Sequence, residues 1–228
     1  MLHLLAFVLV WADTSIARPL ESAEFMNTAD TLPKKAICLH PFSQRSSFAI
    51  TDRVEIKSGL INWYWGADTA LEVGVLRDDV QAISAEVDFA KRWDDSEFDG
   101  GGNLRYTRAL GPHRLNASVG GGYAKASRAR LPTPTSRLGL GIDLVANEAT
   151  TFQFAGRFDA LSLVAYDYMN AEVGFTWNHG WDSFRLGLGI NVRAGEHPTL
   201  DDVFYALGMT PPEYYVFPLP SVALWWRI

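Results

Sequence analysis

Residues Phe184–Arg193 read FRLGLGINVR. Phe184, Leu186, Leu188, Ile190 and Val192 occupy every second position, and Arg185, Gly187, Gly189, Asn191 and Arg193 fill the places between them. Successive side chains of a β-strand point to opposite faces, so this spacing gives one apolar and one polar face. A helix would mix the two sets. Ser136–Leu144 (SRLGLGIDL) repeats the pattern, with Leu138, Leu140, Ile142 and Leu144 set against Arg137, Gly139, Gly141 and Asp143.

The same alternation extends in both directions. Leu71, Val73 and Val75 alternate with Ala70, Glu72 and Gly74, and Ile83, Ala85, Val87 and Phe89 with Ser84, Glu86, Asp88 and Ala90. Leu104, Tyr106 and Leu110 oppose Asn103, Arg105 and Thr107, with Arg108 as the exception. Leu115, Ala117, Val119 and Tyr123 oppose Arg114, Asn116, Ser118 and Gly122, and Phe152, Phe154 and Phe158 oppose Gln153, Ala155, Arg157 and Asp159. Ala171, Val173, Phe175 and Trp177 oppose Glu172, Gly174 and Thr176, and Val222, Leu224, Trp226 and Ile228 alternate in the last segment.

Turn chemistry marks short connections at Arg77–Asp79, Gly111–His113, Asn147–Thr150 and Asn178–Gly180. Longer ones are expected at Asp94–Gly102, Ala126–Thr135, Ala160–Asn170 and Ala194–Pro220. Short and long alternate along the chain, which predicts an up-and-down antiparallel meander. With one ascending strand within residues 47–66, the count is about ten strands, and eight or twelve also fit.

The chain has 228 residues, 48% hydrophobic and 20% charged, with 13 Phe, 8 Trp and 8 Tyr. That composition excludes disorder, and the length suits one domain or one closed barrel. A net charge of −6 with no Lys/Arg block leaves no electrostatic footprint for nucleic acid. A single Cys, Cys38, excludes an internal disulfide framework and a Cys-rich zinc site.

Leu2–Trp11 (LHLLAFVLVW) is apolar but too short to span a bilayer, which takes ~20 residues. Thr14–Ala17 supplies the small residues of a cleavage site, so residues 1–17 are expected to be a secretory signal, although no Lys or Arg precedes the apolar run. Residues 18–45, with three prolines, are expected to form an irregular arm, and residues 46–228 the barrel.

Alternation alone does not say which face is outside. Glycines beside arginines on the polar face suit a crowded interior, where Gly makes room for long side chains. Segments of nine to twelve residues match a tilted membrane-crossing strand. Aromatics gather at strand ends: Phe152, Trp177, Trp181, Phe184, Trp225 and Trp226 by the short turns or in the last segment, and Trp93, Tyr123, Tyr166 and Tyr168 by the longer loops. Together these predict an apolar-out barrel with two aromatic girdles.

On Ser136–Leu144, Phe184–Arg193 and Ser221–Ile228, residues 60–228 resemble the small β-barrel proteins of Gram-negative outer membranes, in a porin-like or autotransporter-barrel-like pattern. The resemblance implies residence in the bacterial outer membrane. It also implies contact with outer-membrane lipid and lipopolysaccharide, and insertion by the barrel-assembly machinery. The closing strand resembles that machinery's recognition signal, which usually ends in Phe or Trp; here Ile228 is last and Trp226 stands two positions earlier.

The expected interior face carries Arg105, Arg114, Arg137, Arg157, Arg185, Arg193 and Arg227 against Glu72, Glu86, Asp88, Asp143, Asp159 and Glu172. Near-balanced charge in a narrow lumen predicts an ion-pair network, because unpaired buried charge is costly. The predicted function is therefore structural, or a narrow porin-like channel for small polar solutes. A wide diffusion pore takes ~16 strands.

Two other classes remain. One is surface-loop binding or adhesion through Trp93–Gly102 and Ala194–Pro220. The other is an outer-membrane hydrolase using His197 with Asp201 and Asp202 to activate water. The expectation is no enzyme, no cofactor and no metal site. No Gly-x-Ser-x-Gly nucleophile pattern is present, and Asp94, Asp95, Glu97 and Asp99 lack the order of a Ca²⁺ loop. Gly100–Gly102 and Gly120–Gly122 lack the strand-to-helix turn of a phosphate cradle. In the longest loop, Asp201–Leu207 is expected to make a short helix between Thr199 and Gly208, packed over the lumen opening.

Overall fold

The period-two segments form one antiparallel sheet that closes on itself. The structure is a computed structural model and describes residues 36–40, 45–59, 66–93, 98–125, 132–161, 169–181, 184–195, 210 and 215–227. The expected signal, the helix over Asp201–Leu207 and the hydrolase candidates His197, Asp201 and Asp202 lie outside these residues.

Twelve strands are described: β1 Ala36–Leu39, β2 Ser46–Thr51, β3 Val54–Ser58, β4 Gly66–Arg77, β5 Gln81–Arg92, β6 Phe98–Leu110, β7 His113–Lys125, β8 Thr133–Asn147, β9 Thr150–Leu161, β10 Met169–Trp181, β11 Phe184–Gly195 and β12 Tyr215–Arg227. Each pairs with its sequence neighbours, and β1 pairs with β12. The result is an up-and-down closed barrel.

The count exceeds the expected ten in one region. Residues 46–58 hold two short strands where one was expected, and Ala36–Leu39 of the expected irregular arm is the closing strand β1. Strands of four to six residues are too short to print an alternating stripe. Strand ends also run further than the side-chain pattern implies. Asn178–Gly180 belongs to β10, Gly100–Gly102 to β6, and Tyr215–Pro220 to β12. Backbone N–H and C=O groups need partners whatever side chain they carry, so the ladder continues past the last regular residue.

Cross-strand partners followed from Ile37 through β2 to β9 reach Met169 on β10. Followed through β12 and β11, they reach Trp181 on the same strand. This twelve-residue stagger over twelve strands gives a tilt of roughly 35° and a Cα radius of about 11 Å.

Burial settles the orientation. Val87 (68% exposed), Leu140 (66%), Leu104, Leu138, Phe154 and Ile190 face outward, whereas Glu72, Asp143, Gln153 and Asn191 are fully enclosed. One register break is visible in the pattern: at the β4 bulge between Gly74 and Leu76, the neighbours Val75 and Leu76 both face out.

Gly101 and Gly102 lie opposite Gly122 and Gly121 across β6 and β7. A Cβ on Gly122 would collide with the Gly100 carbonyl and the Gly101 Cα, so the two glycine runs form a close-approach seam. Pro218 and Pro220 sit within β12, opposite Val192 and Ile190 of β11. Proline cannot donate to a ladder, and among the described residues β12 meets β1 only over Leu224–Arg227, beyond both prolines.

Trp225 corrects the sequence expectation. It was grouped with the girdle aromatics, but it shares the inward face of Ser221 and Ala223 and is 2% exposed. Its ring packs with Ala36, Cys38, Ala49 and Ala223, one large side chain among small ones at the β1–β12 seam. Its neighbour Trp226 faces out.

Trp225→Ala is expected to cost about 3–5 kcal/mol, read as a lower midpoint of denaturant unfolding in detergent. An unchanged midpoint would mean that the seam closes without this ring. At the β4–β5 turn, the Asp78 carboxylate accepts the backbone N–H groups of Val80 and Gln81, both at 2.8 Å, and these bonds hold its pKa below the ordinary value. Its contribution to the turn is therefore present above the ordinary carboxylate range and lost as pH falls through the lowered pKa. A carboxyl titration by NMR with a midpoint at or above the ordinary Asp value would contradict this.

Candidate functional site: the charged interior

The interior charges are arranged by strand parity. On β3, Glu55 and Lys57 point inward around the outward Ile56; Asp68, Ala70 and Glu72 do so on β4, and Ser84, Glu86 and Asp88 on β5. Lys57 Nζ lies 3.5 Å from Glu55 Oε1 and 3.2 Å from Glu86 Oε2, and it donates to Glu72. Arg105 of β6 bridges the same acids, with Nη1 2.6 Å from Glu72 Oε2 and Nη2 2.6 Å from Glu86 Oε1. The Ser84 hydroxyl also donates to Glu72. Two cations thus hold three carboxylates in a region closed to water.

A second layer sits nearer the long-loop end. Arg45 Nε is 2.5 Å from Asp68, and Arg45 Nη2 is 3.4 Å from Asp88. Arg137 reaches across the lumen from β8 to Asp88 at 2.8 Å and to Asp99 at 2.7 Å. Arg157 and Glu172 form a separate pair at 3.2 Å, with the Arg157 side chain 44% exposed.

The opposite wall differs. Arg114 lies opposite Asp143 in the β7–β8 register, and Gln153 Nε2 donates to Asp143 at 2.9 Å. Thr107 donates to Asn116 Oδ1 at 2.9 Å. Beyond them, the buried inward residues Thr151, Gln153, Thr176, Asn178 and Asn191 of β9–β11 are uncharged, while Arg157, Glu172 and Arg185 carry charge on the same strands. The Lys57 and Arg105 hub therefore occupies one side of the lumen, and smaller charged groups stand on β7–β10.

Glu72, Glu86, Asp88, Arg105, Arg114, Asp143 and Glu172 are buried, Arg137 is half-buried and paired, and Arg185 is half-buried opposite Trp225. The side chains of Asp159, Arg193 and Arg227 lie outside the described ones. Arg45, Glu55, Lys57 and Asp68 were missed. The alternation in Val54–Ser58 (VEIKS) carried a signal for Glu55 and Lys57, and the step of two from Glu72 back to Asp68 carried another.

On the outer face, Trp177, His179, Trp181 and Phe184 form a ladder with successive ring centroids 5.6, 4.6 and 5.9 Å apart. His179, expected in a turn, is a β10 residue bonded through Nδ1 to Thr150 Oγ1 at 2.9 Å. Phe152 and Trp226 are half-buried nearby, and Trp93 and Tyr123 are exposed towards the long-loop end. Tyr166 and Tyr168 lie outside the described residues. Among the described residues, no cluster of three or more His, Cys, Asp or Glu is arranged to hold a metal ion.

An apolar exterior, a salt-bridged interior and full closure define the class: an up-and-down closed antiparallel β-barrel. A similar solved structure is "OmpT (in-vitro folded), an outer membrane protein of Vibrio cholerae", at 8% identity and a TM-score of 0.48, covering 94% of this chain and 74% of that one. No protein-family model matches the sequence, and a search of curated proteins returns no match.

Two variants separate buried from exposed charge. Lys57→Ala leaves buried carboxylates undercompensated and is expected to lower stability by about 3–5 kcal/mol in denaturant unfolding. Arg157→Ala, at an open pair, should cost at most about 1 kcal/mol. Equal costs would show that the Lys57 hub is not the buried anchor drawn above.

Proposed function

We propose that this protein is a non-enzymatic barrel of the bacterial outer membrane, exported by its N-terminal segment, and that it acts as a narrow conduit for small polar solutes. One observation supports this most directly: the chain places its aliphatic side outward and its charges inward, the partition suited to a lipid surroundings and a polar lumen. Water around the exterior would have to solvate Leu104, Leu138, Leu140, Val173 and Ile190 across whole strands.

Twelve strands lie between the eight of a side-chain-filled barrel and the sixteen of a wide pore. The ion-pair network fills part of that cross-section and sets a narrow bore. Exposed Trp93, Tyr123, Trp181 and Phe184 are the interface anchors in this proposal, with lipid and lipopolysaccharide as outer contacts and the barrel-assembly machinery as the insertion partner.

The protein is expected to fractionate with outer membranes and to migrate faster in SDS gels before boiling than after. In planar bilayers it should give discrete steps well below those of a sixteen-strand pore. Recovery from the cytosolic fraction with identical migration in both samples would refute membrane residence, and electrical silence with no solute flux would leave a plugged scaffold instead of a conduit.

A further inference from the structure

The exterior of the barrel is aliphatic along the middle of its strands, but its rim at the long-loop end carries charge. Among the described residues, the charged side chains that face outward there are Lys91 and Lys125, and neither has an ion-pair partner among those residues. Lys91 follows Val87 and Phe89 on the outward face of β5, and Lys125 follows Tyr123 on that of β7.

The register sets both lysines on one row, with Lys91 opposite Phe98 of β6 and Phe98 opposite Lys125. Two interstrand steps place their backbones about 10 Å apart, within reach of one headgroup for two four-carbon stems bent over Phe98. The next rows towards the short-turn end are Phe89, Gly100 and Tyr123, then Val87, Gly102 and Gly121. Gly100 and Gly102 present no side chain, whereas Val87, Phe89 and Tyr123 beside them are exposed. The β6 surface is thus recessed from Phe98 as far as Leu104, about 20 Å of strand.

A cationic pair at the head of an apolar recess is complementary to an amphiphile with an anionic head and acyl chains. Trp93 and Tyr123, exposed at the same end, put the lysines at the depth where aromatic anchors meet lipid headgroups. The long-loop end of an outer-membrane barrel is the extracellular one, and the anionic lipid of that leaflet is lipopolysaccharide. A second copy of the chain is a poorer occupant, because an isologous contact would set lysines against lysines. The adjoining connections carry both signs in sequence, Asp94, Asp95 and Glu97 against Arg128 and Arg130, and lie outside the described residues.

We infer that the outer face of β5–β7 is a docking site for lipopolysaccharide, in which Lys91 and Lys125 hold a lipid A phosphate and the recess over Gly100 and Gly102 takes an acyl chain. This rests on the outer-membrane residence proposed above and does not depend on conduction.

The test titrates the folded full chain in detergent with diphosphoryl lipid A and, separately, with phosphatidylglycerol, read by native mass spectrometry. Lipid A is expected to bind several-fold more tightly. Lys91→Ala/Lys125→Ala should weaken lipid A binding roughly thirty-fold, equivalent to about 2 kcal/mol for two lysines at an anionic surface, with fast unboiled migration retained. Lys91→Arg/Lys125→Arg should keep most of the affinity. Arg108→Ala, which removes an exposed cation at the short-turn end of β6, should keep all of it. Gly100→Leu fills the recess and should weaken lipid A several-fold. A Cβ there meets Phe89 Cδ2 at 3.5 Å and the Asp88 carbonyl oxygen at 3.6 Å, which are ordinary contacts that the strand accommodates. If the alanine pair does not fold, the wild-type preference, the arginine pair and Gly100→Leu still decide.

Equal affinity for lipid A and phosphatidylglycerol overturns this inference, as does unchanged lipid A binding in a folded alanine pair or an equal loss in Arg108→Ala. Dimers that Gly100→Leu abolishes while lipid A binding is untouched overturn it in favour of a second copy. Each of these, in a protein that still fractionates with outer membranes, leaves membrane residence standing. Recovery from the cytosolic fraction overturns both.

Discussion

Four residue pairs, Ala36–Leu39 against Leu224–Arg227, join the two ends of the sheet, and the rest of the molecule depends on that join. An open twelve-stranded sheet would present two rows of unpaired N–H and C=O groups, which neither lipid nor an apolar neighbour can satisfy. Closure removes both edges at once. It then permits an aliphatic exterior, because no backbone polarity is left to solvate there. The join is short, and the apolar interior cluster sits beside it: Trp225 with Ala36, Cys38, Ala49 and Ala223. Apolar packing thus appears inside the barrel at the place where the ladder is thinnest.

Closure also creates the electrostatic problem that the interior solves. Charges turned inward lose bulk water, so each must find an opposite charge within the lumen. Lys57 and Arg105 share Glu72 and Glu86 from two sides, and Arg137 spans the lumen to Asp88 and Asp99. These bonds tie β3, β4, β5, β6 and β8 together through the lumen, independently of their backbone ladders. On β9–β11 a single described ion pair, Arg157–Glu172, links β9 to β10, and the other inward side chains are mostly amides, hydroxyls and small residues beside Arg185.

Much of this was legible in the amino-acid sequence. Runs such as Phe184–Arg193 and Ser136–Leu144 determined strand identity and which residues share a face, because period two is a property of the local chain. They also gave the antiparallel meander, since short and long connections alternate. Apolar-out orientation followed from glycine beside arginine and from strand length. Two things needed the tertiary structure. The short strands β1–β3 exist because neighbours supply their hydrogen bonds, and no side-chain stripe of four to six residues declares them. Trp225 is different: its inward parity follows from the alternation of Val222, Leu224 and Trp226, and only its aromatic character set it in a girdle. The remote partners of Lys57 lie on β4 and β5, up to 29 positions away in the case of Glu86, and Arg137 meets Asp88 49 positions away. Local spacing fixes which way a side chain points; only the closure and stagger of the barrel fix what it meets there.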